Sequence, residues 1–432
     1  MKALMFGWEF PPHISGGLGT ASYGLTRGLA SVDDLDIIFV VPKAYGDEDQ
    51  TRMRLIGAGD IPITSKKVKL ENFNKEFEYI EVGSKIVPYV DPEDFWKHTK
   101  EEYSGEIKYV QTNVEGKVEF TGKYGANLMQ EIYNYSVVAS VIASENEFDI
   151  IHAHDWLTYP SGISAKEASG KPLVIHVHAT DFDRSGGSVN PDVYEIERRG
   201  MLAADKIIAV SNLTRNTVIE KYGIDPEKVV TVYNAVEPLK ESQIEYKKSL
   251  PDKIVTFLGR ITMQKGPEYF IEAAHLVLKR MKNVRFVMAG SGDMMVRMVN
   301  LAASKKIMDK FHFTGFLKGD DVFHMLKLSD VYIMPSVSEP FGISPLEAMQ
   351  SNVPVIISKQ SGVAEILTHA IKVNYWDIEA TADAIYGLLN YNGSHIFFQE
   401  FGKMEVDSLK WENAALRVKE VYDDVLIEFY KN

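Results

Sequence analysis

Short apolar runs rich in β-branched residues alternate, along most of this 432-residue chain, with segments whose apolar positions recur every three or four residues. In the first half the runs are Ala3 to Phe6, Ile37 to Val41, Ile150 to Ala153, Leu173 to Val177, Ile207 to Val210 and Val229 to Tyr233. In the second they are Ile254 to Leu258, Arg285 to Ala289, Phe311 to Thr314, Val331 to Met334 and Val353 to Ile357. Runs that hardly alternate with polar residues have no wet side. They predict parallel strands covered by helices on both faces, the helices coming from the intervening segments.

The pattern therefore predicts an α/β protein with two doubly wound, Rossmann-like domains. The first covers residues 1–237 and is interrupted at about 61–120 by a stretch rich in Lys, Glu and aromatics, read as an insertion of short strands and helices. Residues 238–252 (PLKESQIEYKKSLPD) are polar and bounded by prolines, the composition of an interdomain linker. The second domain covers 253–407. In 408–432, Trp411, Ala415, Val418, Tyr422, Val425 and Phe429 recur at steps of three and four, which predicts one long amphipathic helix.

Composition narrows the class. A chain of this length with 45% hydrophobic residues can bury large cores. No apolar stretch approaches the roughly 20 residues of a membrane span, and the apolar start at Met1 to Gly7 is too short for a signal peptide. A cytoplasmic protein with no integral membrane segment is expected. Zero cysteines exclude disulfides, thiolate metal sites and a cysteine nucleophile. A formal charge of −13 excludes bulk nucleic-acid binding, so an anionic ligand needs a local basic pocket.

In open α/β sheets ligands bind beyond the carboxyl ends of the strands, so the residues just after each run carry the chemistry. After Val331 to Met334 comes Ser338 to Met349 (SEPFGISPLEAM), with Glu339 and Glu347 separated by seven residues around a turn at Pro340, Phe341, Gly342 and Ile343. Ser344, Pro345 and Glu347 fit the N-cap, N1 and N3 positions of a helix, so a capping box explains Glu347 without any ligand. Glu339 has no such local explanation. Free amides and the helix dipole at this junction attract phosphate. After Ile254 to Leu258, Arg260 and Lys265 project from one loop before Pro267, where two cations suit a diphosphate.

Other strand ends leave alternatives open. Gly16, Gly17 and Gly19 follow the first strand and either admit a ligand close to the backbone or form a plain turn. They match a dinucleotide fingerprint poorly, because a long proline-containing loop precedes them and no acid ends the second strand. His152-Ala153-His154-Asp155 and His176-Val177-His178 place pairs of rings on one strand face. Such pairs serve a metal-dependent hydrolase or sit as hydrogen-bonded core histidines. Asp181-Phe182-Asp183 has the form of a metal-bound diphosphate clamp, but the enzymes that carry that clamp have a different, single-domain layout.

Together these residues resemble the retaining glycosyltransferases of family 4, which have the GT-B fold of two domains facing across a cleft, with similarity to the glycogen and starch synthases of family 5. The resemblance rests on Glu339 and Glu347 around the Phe-Gly turn, Arg260 with Lys265, Gly16-Gly17-Leu18, His154-Asp155-Trp156, His178 and Gly290-Ser291-Gly292-Asp293. It spans the chain except about 61–120. Bacterial glycogen synthases carry lysine where this chain has Ile14, which favours family 4.

The resemblance implies that Glu339 contacts sugar hydroxyls, Glu347 the ribose, and Arg260 and Lys265 the diphosphate, helped by the amides of Gly342 and Ile343. His178 is implied near the donor sugar and Asp155 on the acceptor side. It implies no metal and no cofactor. The donor is a nucleoside-diphosphate sugar, UDP- or ADP-glucose favoured, and the acceptor an oligo- or polysaccharide, with α-glucan (glycogen) synthesis the leading reading. Retention follows from same-face attack, with the leaving phosphate taking the acceptor's proton. The rivals are a family 4 transferase for another glycan or glycolipid, a hydrolase using the His-x-His pairs, a binding protein without catalysis, and a pyridoxal-dependent phosphorylase.

Overall fold

The computed structural model describes residues 1–14, 17–48, 50, 53–62, 116–125, 127–238 and 250–431, with strand segments 65–69, 76–82 and 85–88. The strands are β1 Lys2–Phe6, β2 Asp36–Val41, β3 Arg54–Gly57, β4 Ser65–Lys69, β5 Glu76–Val82, β6 Lys85–Pro88, β7 Ile150–His154, β8 Leu173–Val177, β9 Lys206–Ala209 and β10 Val229–Thr231. They continue with β11 Lys253–Leu258, β12 Val284–Ala289, β13 Phe311–Gly315, β14 Val331–Met334, β15 Val355–Ser358 and β16 Ile371–Val373.

One sheet runs β10-β9-β8-β7-β1-β2-β3 and the other β13-β12-β11-β14-β15-β16, both with parallel neighbours. In the first sheet the winding reverses beside β1, and in the second beside β11. Each reversal opens a crevice at the strands' carboxyl ends, between β1 and β7 and between β11 and β14. The two Rossmann-like units of the sequence pattern are thus present, and residues such as Leu173, Val174, Ile175 and Val177 in β8 have no exposed surface at all.

Three details depart from the pattern. The run Val353 to Ile357 enters the sheet only at Val355, since Pro354 has no N–H to give the ladder. Strands β3 (RLIG) and β16 (IKV) are too short and mixed to stand out, and they take edge positions. In the insertion, β4, β5 and β6 form an antiparallel sheet, while 89–115 lie outside the described residues. Most of the expected linker, 239–249, lies outside them too.

The final helix, Trp411–Lys431, returns to the first sheet. Its stripe Trp411, Ala415, Val418, Tyr422 and Val425 is buried against the helix Gly17–Leu29 and the strand face behind it, whereas Phe429 is left exposed. Two glycines permit the contact. A Cβ on Gly24 would lie 2.3 Å from the Trp411 ring, and one on Gly28 would lie 2.6 Å from the Trp411 carbonyl oxygen. The ring can turn but the carbonyl cannot. Gly28→Ala should therefore cost about 1–3 kcal/mol, checked by urea denaturation, with Gly24→Ala losing less.

Candidate functional site

The second crevice is built by two loops pressed together. After β11 the chain forms a 3-10 turn, Met263–Lys265, and enters the helix Pro267–Arg280 through Gly266. Gly266 has φ +63°, and a Cβ there would sit 2.1 Å from the Pro335 carbonyl oxygen, so only glycine lets this turn lie on the end of β14. Val337 N–H donates to Gln264 O at 2.9 Å. The loop Gly290 to Asp293 supports it from the other side: Ile261 N–H donates to Ser291 O (2.8 Å) and Met294 N–H to Ile261 O (3.0 Å).

This packing brings Lys265 and Glu339 together. The ammonium is ion-paired with Glu339 Oε2, which also accepts from Ser336 Oγ at 3.1 Å. Glu339 is buried and its backbone is fixed on β15's continuation, donating to Gln360 O (3.0 Å) and accepting from Gly362 N–H (2.9 Å). Arg260 lies exposed at the rim, with Nη2 donating to Gln264 Oε1 at 3.1 Å. The two cations expected to share one loop do so.

The following turn needs glycine at 342, where φ is +100°, and Phe341 is buried beneath it. The expected capping box does not form. Ser344–Gln350 is the helix, Ile343 takes the N-cap position, and no side chain caps it. Buried Tyr332 explains why: its hydroxyl donates to Ser344 Oγ at 2.8 Å and draws that side chain away from the helix end. Glu347 instead turns toward a cavity of about 30 Å³ that it shares with Ile343, Thr20, Glu237 and Trp411. Burial pushes its carboxyl up to about 7.

A raised acid pKa favours the neutral form in the fold. Stability from Glu347 is full below the ordinary value of 4.5 and is lost as pH rises through about 7. Glu347→Gln should accordingly gain in Tm relative to wild type across that window, as thermal melts on either side of it will show.

Across the cleft, β7 ends at His154 and turns sharply at Asp155, whose φ of +63° is unusual for a residue with a Cβ. Arg184 holds the turn. Its Nη2 reaches both Asp155 oxygens at 3.1 Å, and its Nη1 donates to Glu197 Oε1 at 3.0 Å. Glu197 is fully buried and also accepts from the Tyr222 hydroxyl; burial lifts its carboxyl to about 7 against the pull of Arg184.

Asp183 accepts from Thr180 N–H and Oγ1, both at 2.8 Å, and from Ser338 Oγ of the opposite unit. Asp181 accepts from Asn190 N–H at 2.6 Å. Both acids of the Asp-x-Asp segment are thereby committed to hydrogen bonds within the protein, Asp183 across the cleft as well as locally. Gly186 of the same loop faces Met263, so this segment and the Lys265 loop line one cleft.

His154 and His178 are joined through Nδ1 and Nε2 at 3.0 Å, and His152 Nδ1 meets the Tyr422 hydroxyl at 2.5 Å. Burial keeps all four histidines of the two pairs neutral, pushing His152 and His178 down to about 3. Gly17 opens the helix that carries Thr20 to the Glu347 cavity, and Gly16 lies outside the described residues.

Several residues here gave no sequence signal. Nothing in the local pattern around Arg184 and Glu197 tells that their helices turn them inward. Trp8 and Glu9, buried after β1, and Tyr124, whose ring lies 6.5 Å from Trp8, join the first crevice only through the fold.

Known proteins resemble this chain in sequence and in fold. A family model described as Glycosyltransferase Family 4 matches residues 101–238, and one described as Glycosyl transferases group 1 matches residues 240–396. An uncharacterized glycosyltransferase of Methanocaldococcus jannaschii is 28% identical, with 98% of each chain covered. A glycogen synthase of Mycobacterium tuberculosis is 19% identical over 98% of this chain and 94% of its own. Among solved structures, an Anabaena protein crystallised with UDP and glucose superposes with a TM-score of 0.68 at 14% identity, over 98% of this chain and all of that one (100%).

Proposed function

Because this chain is a glycosyltransferase of the GT-B fold, we propose that it moves a hexosyl unit, glucosyl in the leading reading, from a nucleoside-diphosphate sugar to an oligo- or polysaccharide with retention of configuration. The observation that carries the proposal is the meeting of Lys265 with buried Glu339 at the β11 and β14 ends, with Arg260 at the rim. A cation beside a carboxylate at a topological switch point suits a ligand that is anionic at one end and rich in hydroxyls at the other.

In this reading the developing charge on the departing diphosphate is met by Lys265, Arg260 and the amides of Gly342 and Ile343, fixed in place before reaction. Glu339 accepts from sugar hydroxyls and Glu347 from the ribose. Neutral His178 lies beside the donor sugar. Asp155 spends both oxygens on Arg184, which suits a positioning role on the acceptor side and leaves no evident nucleophile. Same-face attack, with the leaving phosphate accepting the proton, then accounts for retention. The relatives support a UDP donor and glucan synthesis by analogy: one is a glycogen synthase and one structural neighbour holds UDP and glucose.

A thermal-shift screen over UDP, ADP and GDP sugars tests the donor, since a ligand that binds only the folded state raises Tm. Tm should rise with a glucose nucleotide, that donor with an oligoglucan should release nucleoside diphosphate, and proton NMR of the product should give the donor's anomeric configuration. An inverted product would end the retention claim. No shift and no release with any nucleotide sugar would end the donor claim.

A further inference from the structure

Four histidines remain outside that chemistry or only touch its edge. His152 and His154 on β7, with His176 on β8 and His178 just after it, project from one face of the first sheet, His154 and His176 being register partners. Their rings stack, with centroids 4.2 Å apart for His152 and His154, 5.4 Å for His152 and His176, and 4.4 Å for His176 and His178. His152, His154 and His176 have no exposed surface.

Five ring nitrogens here are buried without a hydrogen-bond partner: Nε2 of His152, Nε2 of His154, both nitrogens of His176 and Nδ1 of His178. Natural interiors rarely leave so many polar atoms unpaired at one point. One ring nitrogen from each of His152, His154 and His176 lies within 4.8 Å of the others.

We propose that His152, His154 and His176 bind one divalent ion of the zinc, cobalt, nickel or copper class, between the first sheet and the C-terminal helix. Two neighbouring strands that give a His-x-His pair and a third imidazole supply three nitrogen ligands, and the lack of oxygen ligands excludes calcium and magnesium. A tetrahedral ion with bonds of about 2.0–2.1 Å spaces its ligand atoms about 3.4 Å apart, so modest ring rotations complete the site.

The hydrogen bonds already favour this. A ligating histidine donates its other N–H to an outer partner, which fixes the tautomer. With the proton on Nδ1, His152 donates to Tyr422 Oη and His154 to His178 Nε2, and the unpartnered Nε2 of each then carries the free lone pair. The ion would tie the C-terminal helix to the sheet through Tyr422. It has no part in sugar transfer, so this inference stands apart from the proposed reaction.

Untagged full-length protein, stripped with chelator and titrated with Co²⁺, should develop visible d–d bands that saturate at one equivalent and vanish when Zn²⁺ displaces cobalt. Zn²⁺ should raise its Tm. His152→Gln and His176→Gln should lose the bands, and Tyr422→Phe should weaken binding by about tenfold or more. The group of exposed His13 and Asp47 with buried Glu48 is the competing site, so His13→Ala should leave the bands unchanged. Loss of the bands in His13→Ala with retention in His176→Gln overturns the proposal, as does a wild type with neither bands nor a Tm response. Should the core variants fail to fold, Tyr422→Phe and His13→Ala decide the location.

Discussion

Lys265→Ala should lower kcat by about 10²–10³-fold, the usual effect of removing one preorganised charge from a developing anion. Lys265 is held by the 3-10 turn that Gly266 allows and is paired with Glu339. That pairing is also what makes the prediction sharp. Removing the ammonium leaves Glu339 as a buried carboxylate that keeps the Ser336 hydrogen bond but no cation among its described partners, so some stability is lost as well. Glu339→Gln separates the two effects: it leaves no buried carboxylate and frees the retained Lys265 for phosphate, so affinity for a nucleoside diphosphate should hold or rise while kcat falls. The double variant should lose less than the sum of the singles, because contacting residues are not additive. Near-normal turnover in folded Lys265→Ala would remove the phosphate role, and weakened nucleotide binding in Glu339→Gln would show that the pair acts only as a structural bridge.

The legible parts of the chain were those written in consecutive residues. Buried parallel strands such as Leu173–Val177 cannot hide, because nearly every position is apolar, His176 being the exception, and strand ends locate a crevice by topology alone. Arg260, Lys265 and Glu339 were legible for the same reason: each lies in the loop that follows a strand. The Ser344 and Glu347 capping box failed because its local geometry was overridden by Tyr332, a partner twelve residues away that the spacing rule does not consider. Arg184 failed differently. Its partners Asp155 and Glu197 are 29 and 13 residues away, and a charge run such as DFDRS is ordinarily a solvated face. Short edge strands β3 and β16 lacked signal because an edge needs neither length nor full burial.

Arg184→Ala should cost about 3–5 kcal/mol of folding stability, since it strips the shared cation from two carboxylates, Asp155 and Glu197, whose side chains are 8% and 1% exposed. The loss must depend on pH, and its sign is fixed. Glu197 already titrates near 7 in the fold against 4.5 when free, with Arg184 the main influence holding it down. A raised acid contributes stability that is full below about 4.5 and is lost as pH rises through the folded value. Without Arg184 that folded value climbs further, so the variant's deficit should be smallest at acid pH, where both carboxyls are protonated, and grow through neutrality. Urea denaturation of both proteins at pH values below and above this window measures it. Arg184→Lys should fall between the two, because a point charge cannot reach both acids with the planar fork of a guanidinium. A deficit that does not vary with pH would mean the side chain acts by packing alone. A deficit that shrinks toward alkaline pH would contradict the burial of Glu197 itself.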